Sequence, residues 1–274
     1  MFPWNYGFHW SAGTIIFLGA FYTVLVVVVT TLLSAAWRSH RAIAHQEVEE
    51  IRWHSDFHDL TPADRVCRHV LTGEFRSREC PNAFDCRRCQ THAKLIEQHP
   101  VTQVPESEED FLGLAFPLDR FYHRGHTWAK LEDDGTVTVG LDELGKRLLG
   151  NPDRVEFPAA GSEIEANGTA FRVHKREADV RVLSPVDGKV IETGGPERDW
   201  YLRVAPESRD FTHLLRGAEV RPWLTREMER LQLALSMEGA APALADGGVP
   251  VDDISVGYPT TDWDTVCGEM FLRP

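Results

Sequence analysis

The chain has 274 residues, of which 42% are hydrophobic and 26% are charged. These values are ordinary for a folded chain with one large or two small domains. The formal net charge is −13 at pH 7, and so acidic a surface repels phosphate backbones. The composition therefore argues against nucleic acid as a partner.

The first predicted element is an uncharged segment at residues 14–37, TIIFLGAFYTVLVVVVTTLLSAAW. A helix needs about 20 apolar residues to cross a bilayer of about 30 Å, and this segment has that length. A cleaved signal peptide is the alternative, but the apolar run is longer than a usual h-region and no basic residue precedes it. Arg38 and Arg41 follow the segment, whereas residues 1–13 contain no Lys or Arg. The positive-inside rule therefore predicts a single-pass protein of the bacterial inner membrane, with a short outer segment and the bulk of the chain in the cytoplasm.

Residues 38–99 follow the predicted transmembrane helix and are interpreted as a helical, cysteine-rich, metal-binding segment. Thr61 is expected to cap a helix that begins at Pro62, because threonine is a preferred N-cap residue and proline is favoured at the first helical position. Residues 100–120 are acidic, contain three prolines and are predicted to be a linker.

Four of the five cysteines lie in this segment, with the spacing C-x12-C-x5-C-x2-C: Cys67, Cys80, Cys86 and Cys89. On the cytoplasmic side of a membrane a disulfide is not expected to persist. Four thiolates match the ligand count of a structural zinc ion, and neighbouring arginines would offset the charge of a tetrathiolate. Zinc is therefore the predicted cofactor. An iron–sulfur cluster, four idle thiols, or a redox disulfide in an inverted topology are the alternatives. Cys267 is isolated and is expected to have no role.

Short alternating runs separated by Gly, Asp and Pro extend over residues 121–206. This pattern predicts an all-β domain that contains one short helix, LDELGKRLLG. Residues 207–238 are expected to hold a helix, RPWLTREMERLQLALSM, and residues 239–274 are expected to form an acidic tail.

Several motifs stand in a fixed order in the β domain. They are His126-x-Trp128, a Val-Thr-Val-Gly-Leu run that ends at Leu141, the turn Ser184-Pro185-Val186-x-Gly188, and a strand at Trp200. On these motifs, residues 121–206 resemble the glycine cleavage system H protein. The resemblance implies a barrel-sandwich hybrid, the fold of lipoyl and biotinyl carrier domains. The predicted fold class is therefore a mainly β, lipoyl-domain-like unit with one N-terminal transmembrane helix and flanking helices.

The resemblance also implies where a lipoyl group would be attached. In the family the lipoyl-lysine lies at a hairpin tip, seven residues before the serine of the Ser-Pro-Val turn. Counting back from Ser184 leads to Glu177, whose carboxylate cannot form the amide that carries lipoate. Lys175 is two residues earlier, and a shift of two preserves the facing of a strand residue, so Lys175 is the candidate for attachment. We expect it instead to be a solvated charge at the hairpin tip, and lipoate to be absent.

No Gly-rich phosphate loop, nucleophile elbow or zinc-protease motif occurs in the sequence, so no independent catalytic activity is expected. The sequence predicts a non-catalytic scaffold subunit that docks through a degenerate lipoyl-like domain on the cytoplasmic face of a larger membrane complex, respiratory or photosynthetic. Its predicted partners are the other subunits of that complex. Two alternatives are an iron–sulfur electron-transfer protein that uses the four cysteines, and a membrane-tethered lipoyl carrier that uses Lys175.

Overall fold

The computed structural model divides the chain into two compact units, residues 1–53 and residues 54–274. The residues that the structure describes are 11–44, 57, 59–98, 109–111, 113–176, 178–237 and 251–273. Most of the predicted outer segment, and parts of the predicted cysteine-rich segment, linker and tail, lie outside these ranges.

The first unit contains one long helix, α1 (Ala12–Ala44). Its apolar part, Ala12–Ser34, has a mean hydropathy of 2.5 and is long enough to cross a membrane, a property that signal sequences share. The hydroxyl groups of Thr23, Thr30 and Thr31 donate to backbone carbonyls four residues earlier in the helix. These hydroxyl groups are thus satisfied within the helix, which suits an apolar environment.

The second unit begins with a cysteine-rich segment of short helical turns. Its elements are 3₁₀ turns at Pro62–Asp64 and Cys86–Arg88, and the helices α2 (Arg68–Leu71) and α3 (Gln90–Gln98). Thr61 precedes the first turn, and its Oγ1 donates to Asp64 Oδ2 at 2.7 Å. The predicted helix is a single 3₁₀ turn, because the backbone of Arg65 leaves helical geometry directly afterwards, with φ −85° and ψ 66°.

Part of the predicted linker is folded as a hairpin. Strands β1 (Glu109–Phe111) and β2 (Leu114–Phe116) pair in antiparallel orientation. Leu114 and Phe116 are buried on one face of β2, and the ring of Phe116 lies 5.2 Å from that of Tyr122. Burial of these alternating apolar residues holds the hairpin on the β domain.

Residues 121–206 form a β domain with two antiparallel sheets, as predicted. The strand order is β3-β4-β5-β11-β10-β7 in the larger sheet and β6-β8-β9 in the smaller one. Val137 and Val139 of β5 and Leu202 and Val204 of β11 are fully buried between them. The strands are β3 (Phe121–Tyr122), β4 (Thr127–Leu131), β5 (Val137–Leu141), β6 (Arg154–Glu156), β7 (Glu163–Ile164), β8 (Thr169–Lys175), β9 (Ala178–Leu183), β10 (Gly188–Thr193) and β11 (Leu202–Pro206).

One short helix interrupts the strands at the predicted place. Helix α4 (Glu143–Leu149) begins after Asp142, whose Oδ1 accepts a hydrogen bond from the backbone N–H of Gly145 at 2.7 Å. The helix ends at Gly150, which has a φ of 52° in the left-handed region that glycine tolerates best.

The described part of the predicted acidic tail at residues 239–274 is residues 251–273, and these residues are folded rather than extended as a tail. Helix α5 (Val220–Met237) is followed by α6 (Ile254–Gly257) and by α7 (Trp263–Leu272), which packs against β9. Val266 and Met270 of α7 are fully buried. The acidic residues of this region masked an apolar stripe at helical spacing, and that stripe is sufficient to bury the helix.

Candidate functional site at the lysine hairpin and the cysteine cavity

Strands β8 and β9 form the hairpin that the resemblance assigns to lipoyl attachment. Lys175, the last residue of β8, pairs with Ala178, the first residue of β9. Arg176, which follows β8, has the positive φ of 53° that tight hairpin turns require. The resemblance to the H protein implies that lipoyl attachment would occur at the tip of this hairpin. Glu177 itself lies outside the described residues.

Lys175 is engaged in an ion pair, and the prediction of a solvated charge is wrong. Its Nζ donates to both carboxylate oxygens of Asp253, at 2.7 and 2.9 Å. Its side chain is only 8% exposed. Although burial raises the pKa of Asp253, hydrogen bonds and the charge of Lys175 hold this pKa below its ordinary value. Asp253 stands 78 residues away in the chain, so no local pattern in the sequence predicted the pair.

Asp253 is itself held in place by the turn that precedes α6. Its Oδ1 accepts hydrogen bonds from the backbone N–H and the hydroxyl of Ser255, at 3.0 and 2.6 Å. A Cβ at Gly150, where α4 ends, would collide with the Asp253 carboxylate. The Asp-x-Ser pattern of a helix cap was the only signal in the sequence, and it predicts a cap rather than a partner for Lys175.

The thiol of Cys267, on α7, interacts electrostatically with Lys175. Burial raises the pKa of this thiol to about 12, and Lys175 lowers it only partly. Reactivity depends on the thiolate, so Cys267 is an inert core residue beside the hairpin.

The four clustered cysteines lie apart from the hairpin and line one cavity together. Cys67 and Cys80 come from two chain segments that pair in antiparallel orientation. The backbone N–H of Cys67 donates to the backbone carbonyl of Arg78 at 2.9 Å. The backbone N–H of Cys80 donates to the backbone carbonyl of Arg65 at 2.6 Å. This short pairing brings together two cysteines that are separated by twelve residues of sequence.

Cys86 and Cys89 stand at the two ends of one 3₁₀ turn. The backbone N–H of Cys89 donates to the carbonyl of Cys86 at 3.1 Å. Burial raises the pKa of Cys86, and the charge of Arg68 opposes that rise. Among the described residues, no group of three or more His, Cys, Asp or Glu side chains is arranged to hold a metal ion. The cavity thus gathers the predicted ligands without placing them around a single point.

Basic and imidazole side chains complete the cavity lining. Arg68 donates through Nε to Glu219 Oε1 at 3.0 Å. His69 Nε2 lies 3.0 Å from His92 Nδ1, and the two rings pair with each other inside the cavity. Arg124 enters from the turn between β3 and β4, and the sequence analysis missed it because it belongs to the β domain.

A third buried polar cluster lies in the core around His126. Its Nδ1 is 3.0 Å from Asp142 Oδ2, and its Nε2 is 3.6 Å from Glu227 Oε2. Although burial lowers the pKa of His126, Asp142 and Glu227 raise it to about 9. His126 has no exposed surface, so the cluster ties β4, α4 and α5 together and offers no access to a substrate.

Comparison with known proteins assigns the β domain to a family. The family profile described as glycine cleavage H-protein matches residues 120–195. The glycine cleavage system H protein of Alkalilimnicola ehrlichii is 31% identical over 123 residues, which span 40% of this chain and 85% of that protein. This chain belongs to the glycine cleavage H-protein family. The H protein of Saccharophagus degradans is 34% identical over 119 residues, which span 43% of this chain and 85% of that protein.

The crystal structure of a glycine cleavage system H protein from Mycobacterium marinum overlays with a TM-score of 0.35 and 21% identity, over 40% of this chain and 98% of that chain. The resemblance read from the sequence and the predicted mainly β fold class are confirmed. The matched residues 120–195 include the hairpin, and the cysteine-rich segment, α5 and α7 lie outside them.

Proposed function

We propose that this member of the H-protein family is a membrane-anchored accessory subunit. It has no catalytic activity of its own, carries no lipoyl group, and docks through its H-protein-like domain on protein subunits at the cytoplasmic face of the bacterial inner membrane. The partners are subunits of a larger membrane complex, respiratory or photosynthetic. The observation that carries the proposal is the ion pair of Lys175 with Asp253.

Attachment of lipoate requires an accessible amine that attacks an activated acyl group. The amine of Lys175 is buried and is held by both oxygens of Asp253, so it is poorly placed for this reaction. Acylation would also remove the positive charge and leave Asp253 without its partner. Breaking a buried ion pair on one side costs about 3–5 kcal/mol. The spacing implied by the H-protein resemblance puts the attachment position at Glu177 rather than at Lys175.

The anchor and the retained fold support the docking role. Helix α1 contains a stretch that by length and composition can cross a bilayer, and the positive-inside rule predicts that the domain lies in the cytoplasm. The domain retains the family fold, and Lys175 at its hairpin is buried in an ion pair. We therefore infer that the domain serves as a protein-binding surface and no longer as a carrier.

Purification of the full chain from native membranes in mild detergent tests the proposal, with mass spectrometry of the intact chain and of every protein that accompanies it. We expect an unmodified chain in a stoichiometric set of membrane subunits. A chain that purifies alone would refute the docking role. A mass increase of one lipoyl group on Lys175 would refute the loss of carrier function.

A further inference from the structure

We propose that Cys67, Cys80, Cys86 and Cys89 bind one structural Zn²⁺ as a tetrathiolate. The metal stabilises the cysteine-rich residues 59–98 on the H-protein-like domain, and Arg124 of that domain compensates the charge of the site. This inference is independent of the docking role.

The backbone presents the cysteines as two pairs, which is how many structural zinc sites are built. Cys67 and Cys80 directly follow Val66 and Glu79, which form an antiparallel bridge, so the two cysteines lie diagonally across it. Cys86 and Cys89 flank one 3₁₀ turn. All four cysteines line the same cavity. Zinc requires sulfur atoms at about 2.3 Å, so binding would draw the four thiols together around one point.

The loop that follows Cys80 is shaped around its sulfur atom. The backbone N–H of Phe84 donates to Cys80 Sγ at 3.3 Å. To reach this geometry, Ala83 and Phe84 both adopt positive φ, at 45° and 67°. Such backbone is costly for residues other than glycine and persists where the surroundings require it. A backbone N–H aimed at sulfur is also a suitable hydrogen-bond donor to a metal-bound sulfur atom.

Arg124 supplies the second, independent observation. It is buried, lines the cavity, and donates through Nη1 to the carbonyl of Val66 at 2.8 Å. Its Nη2 has no hydrogen-bond partner among the described residues. The guanidinium also lies 4.8 Å from the centroid of the Phe84 ring. A buried charge is costly unless counter-charges lie near it. A zinc tetrathiolate carries a formal charge of −2 and would supply such a counter-charge.

Contacts around the cavity show what the metal would hold together. Arg87 of the cysteine segment forms an ion pair with Asp187 in the Ser-Pro-Val-Asp-Gly turn of the domain. The ring of Phe57 stacks on His123 with centroids 5.1 Å apart. Asn167 of the domain donates to the carbonyl of Ala83 at 3.4 Å, next to the loop of Cys80. Removal of the metal would therefore loosen the cysteine segment from the domain.

The first test is elemental analysis of the full chain purified anaerobically from its native membranes. We expect one zinc per chain and no visible absorbance. Zinc well below one equivalent would overturn the proposal. So would iron with acid-labile sulfide, or an intact mass that shows a disulfide.

Cysteine variants define the ligands. We expect Cys86→Ser and Cys67→Ser each to lose most of the zinc, while Cys267→Ala, the matched control outside the cavity, retains it. His92→Ala is expected to keep one equivalent, and loss of zinc in this variant would refute the four-cysteine ligand set.

The role of Arg124 is tested by Arg124→Met, with Arg198→Met as the control at an exposed arginine. We expect zinc affinity to fall about 10–100-fold in Arg124→Met, as is typical when groups that support metal ligands are removed. Thermal unfolding with and without a chelator separates this role from packing. A purely structural arginine would lower the stability of the zinc-free and zinc-bound proteins equally, and that result would refute charge compensation.

Discussion

The lysine hairpin and the cysteine cavity both hold residue types that are suited to chemistry, but they differ in what surrounds those residues. At the hairpin, the amine of Lys175 is fully engaged by Asp253 from a distant part of the chain. In the cavity, four thiols are gathered together, and the Nη2 of the buried Arg124 has no hydrogen-bond partner among the described residues. A candidate group at a functional position is therefore informative only once its partners are known.

Removal of the proposed zinc ion is the change with the largest expected effect. A ligand that binds only the folded state at a free concentration about 1,000 times its Kd adds about 4 kcal/mol to the free energy of unfolding. We expect a chelator to remove a stabilisation of this order from the wild-type protein and none from Cys86→Ser. Chemical unfolding of the full chain in detergent measures both values, and an identical response of the two proteins would contradict the prediction.

Disruption of the hairpin ion pair is expected to have the next largest effect. Asp253→Ala leaves the ammonium group of Lys175 buried without a partner, and we expect a loss of about 3 kcal/mol in the free energy of unfolding. The double variant Lys175→Met, Asp253→Leu is expected to recover most of this loss, because it removes both charges. Equal destabilisation in the two variants would show that Asp253 acts through the cap of α6 alone.

Protonation of the buried His126 gives a stability measurement that involves neither the lysine hairpin nor the cysteine cavity. Its pKa is raised to about 9 in the folded protein, against about 6.5 for an unperturbed histidine. Its stabilisation is therefore complete below pH 6.5 and is lost as the pH rises to 9, by about 3 kcal/mol in all. We expect His126→Gln to flatten the decline in unfolding free energy over this range. An unchanged pH profile would contradict the assignment of the charge to His126.

Chemical acylation reports on the hairpin without a large change in stability. We expect Lys175 to resist an amine-reactive ester that modifies the exposed lysine Lys189 of the same domain. Asp253→Asn weakens the hold on the amine, and acylation at Lys175 should then increase several-fold. Peptide mass spectrometry locates the modified lysine. Rapid modification of Lys175 in the wild-type protein would remove the main support for the loss of carrier function.

The smallest effect is expected at the surface ion pair of Arg198 with Glu192. The two side chains are 54% and 47% exposed, and their nitrogen and oxygen atoms are 3.1 Å apart. Solvent screens such a pair, so Arg198→Met should change the free energy of unfolding by less than about 0.5 kcal/mol. A change of several kcal/mol would show that exposed charges contribute more here than the comparison of the two buried regions assumes.

Features carried by short stretches of sequence were predictable. The H-protein motifs, the short helix α4 and the apolar part of α1 each depend on residues that are close together in the chain. Helix α7 was missed because its acidic neighbours obscured an apolar stripe that becomes evident only when it packs on β9.

The sequence by itself determined the β domain, its family and the supply of four clustered cysteines, because strand alternation, turn chemistry and ligand spacing are local properties. Only the tertiary structure decided that Lys175 is paired with Asp253 and that Arg124 lies among the cysteines. Both depend on contacts between residues tens of positions apart, and the charge state and accessibility of a buried group are set by those contacts rather than by its neighbours in the chain.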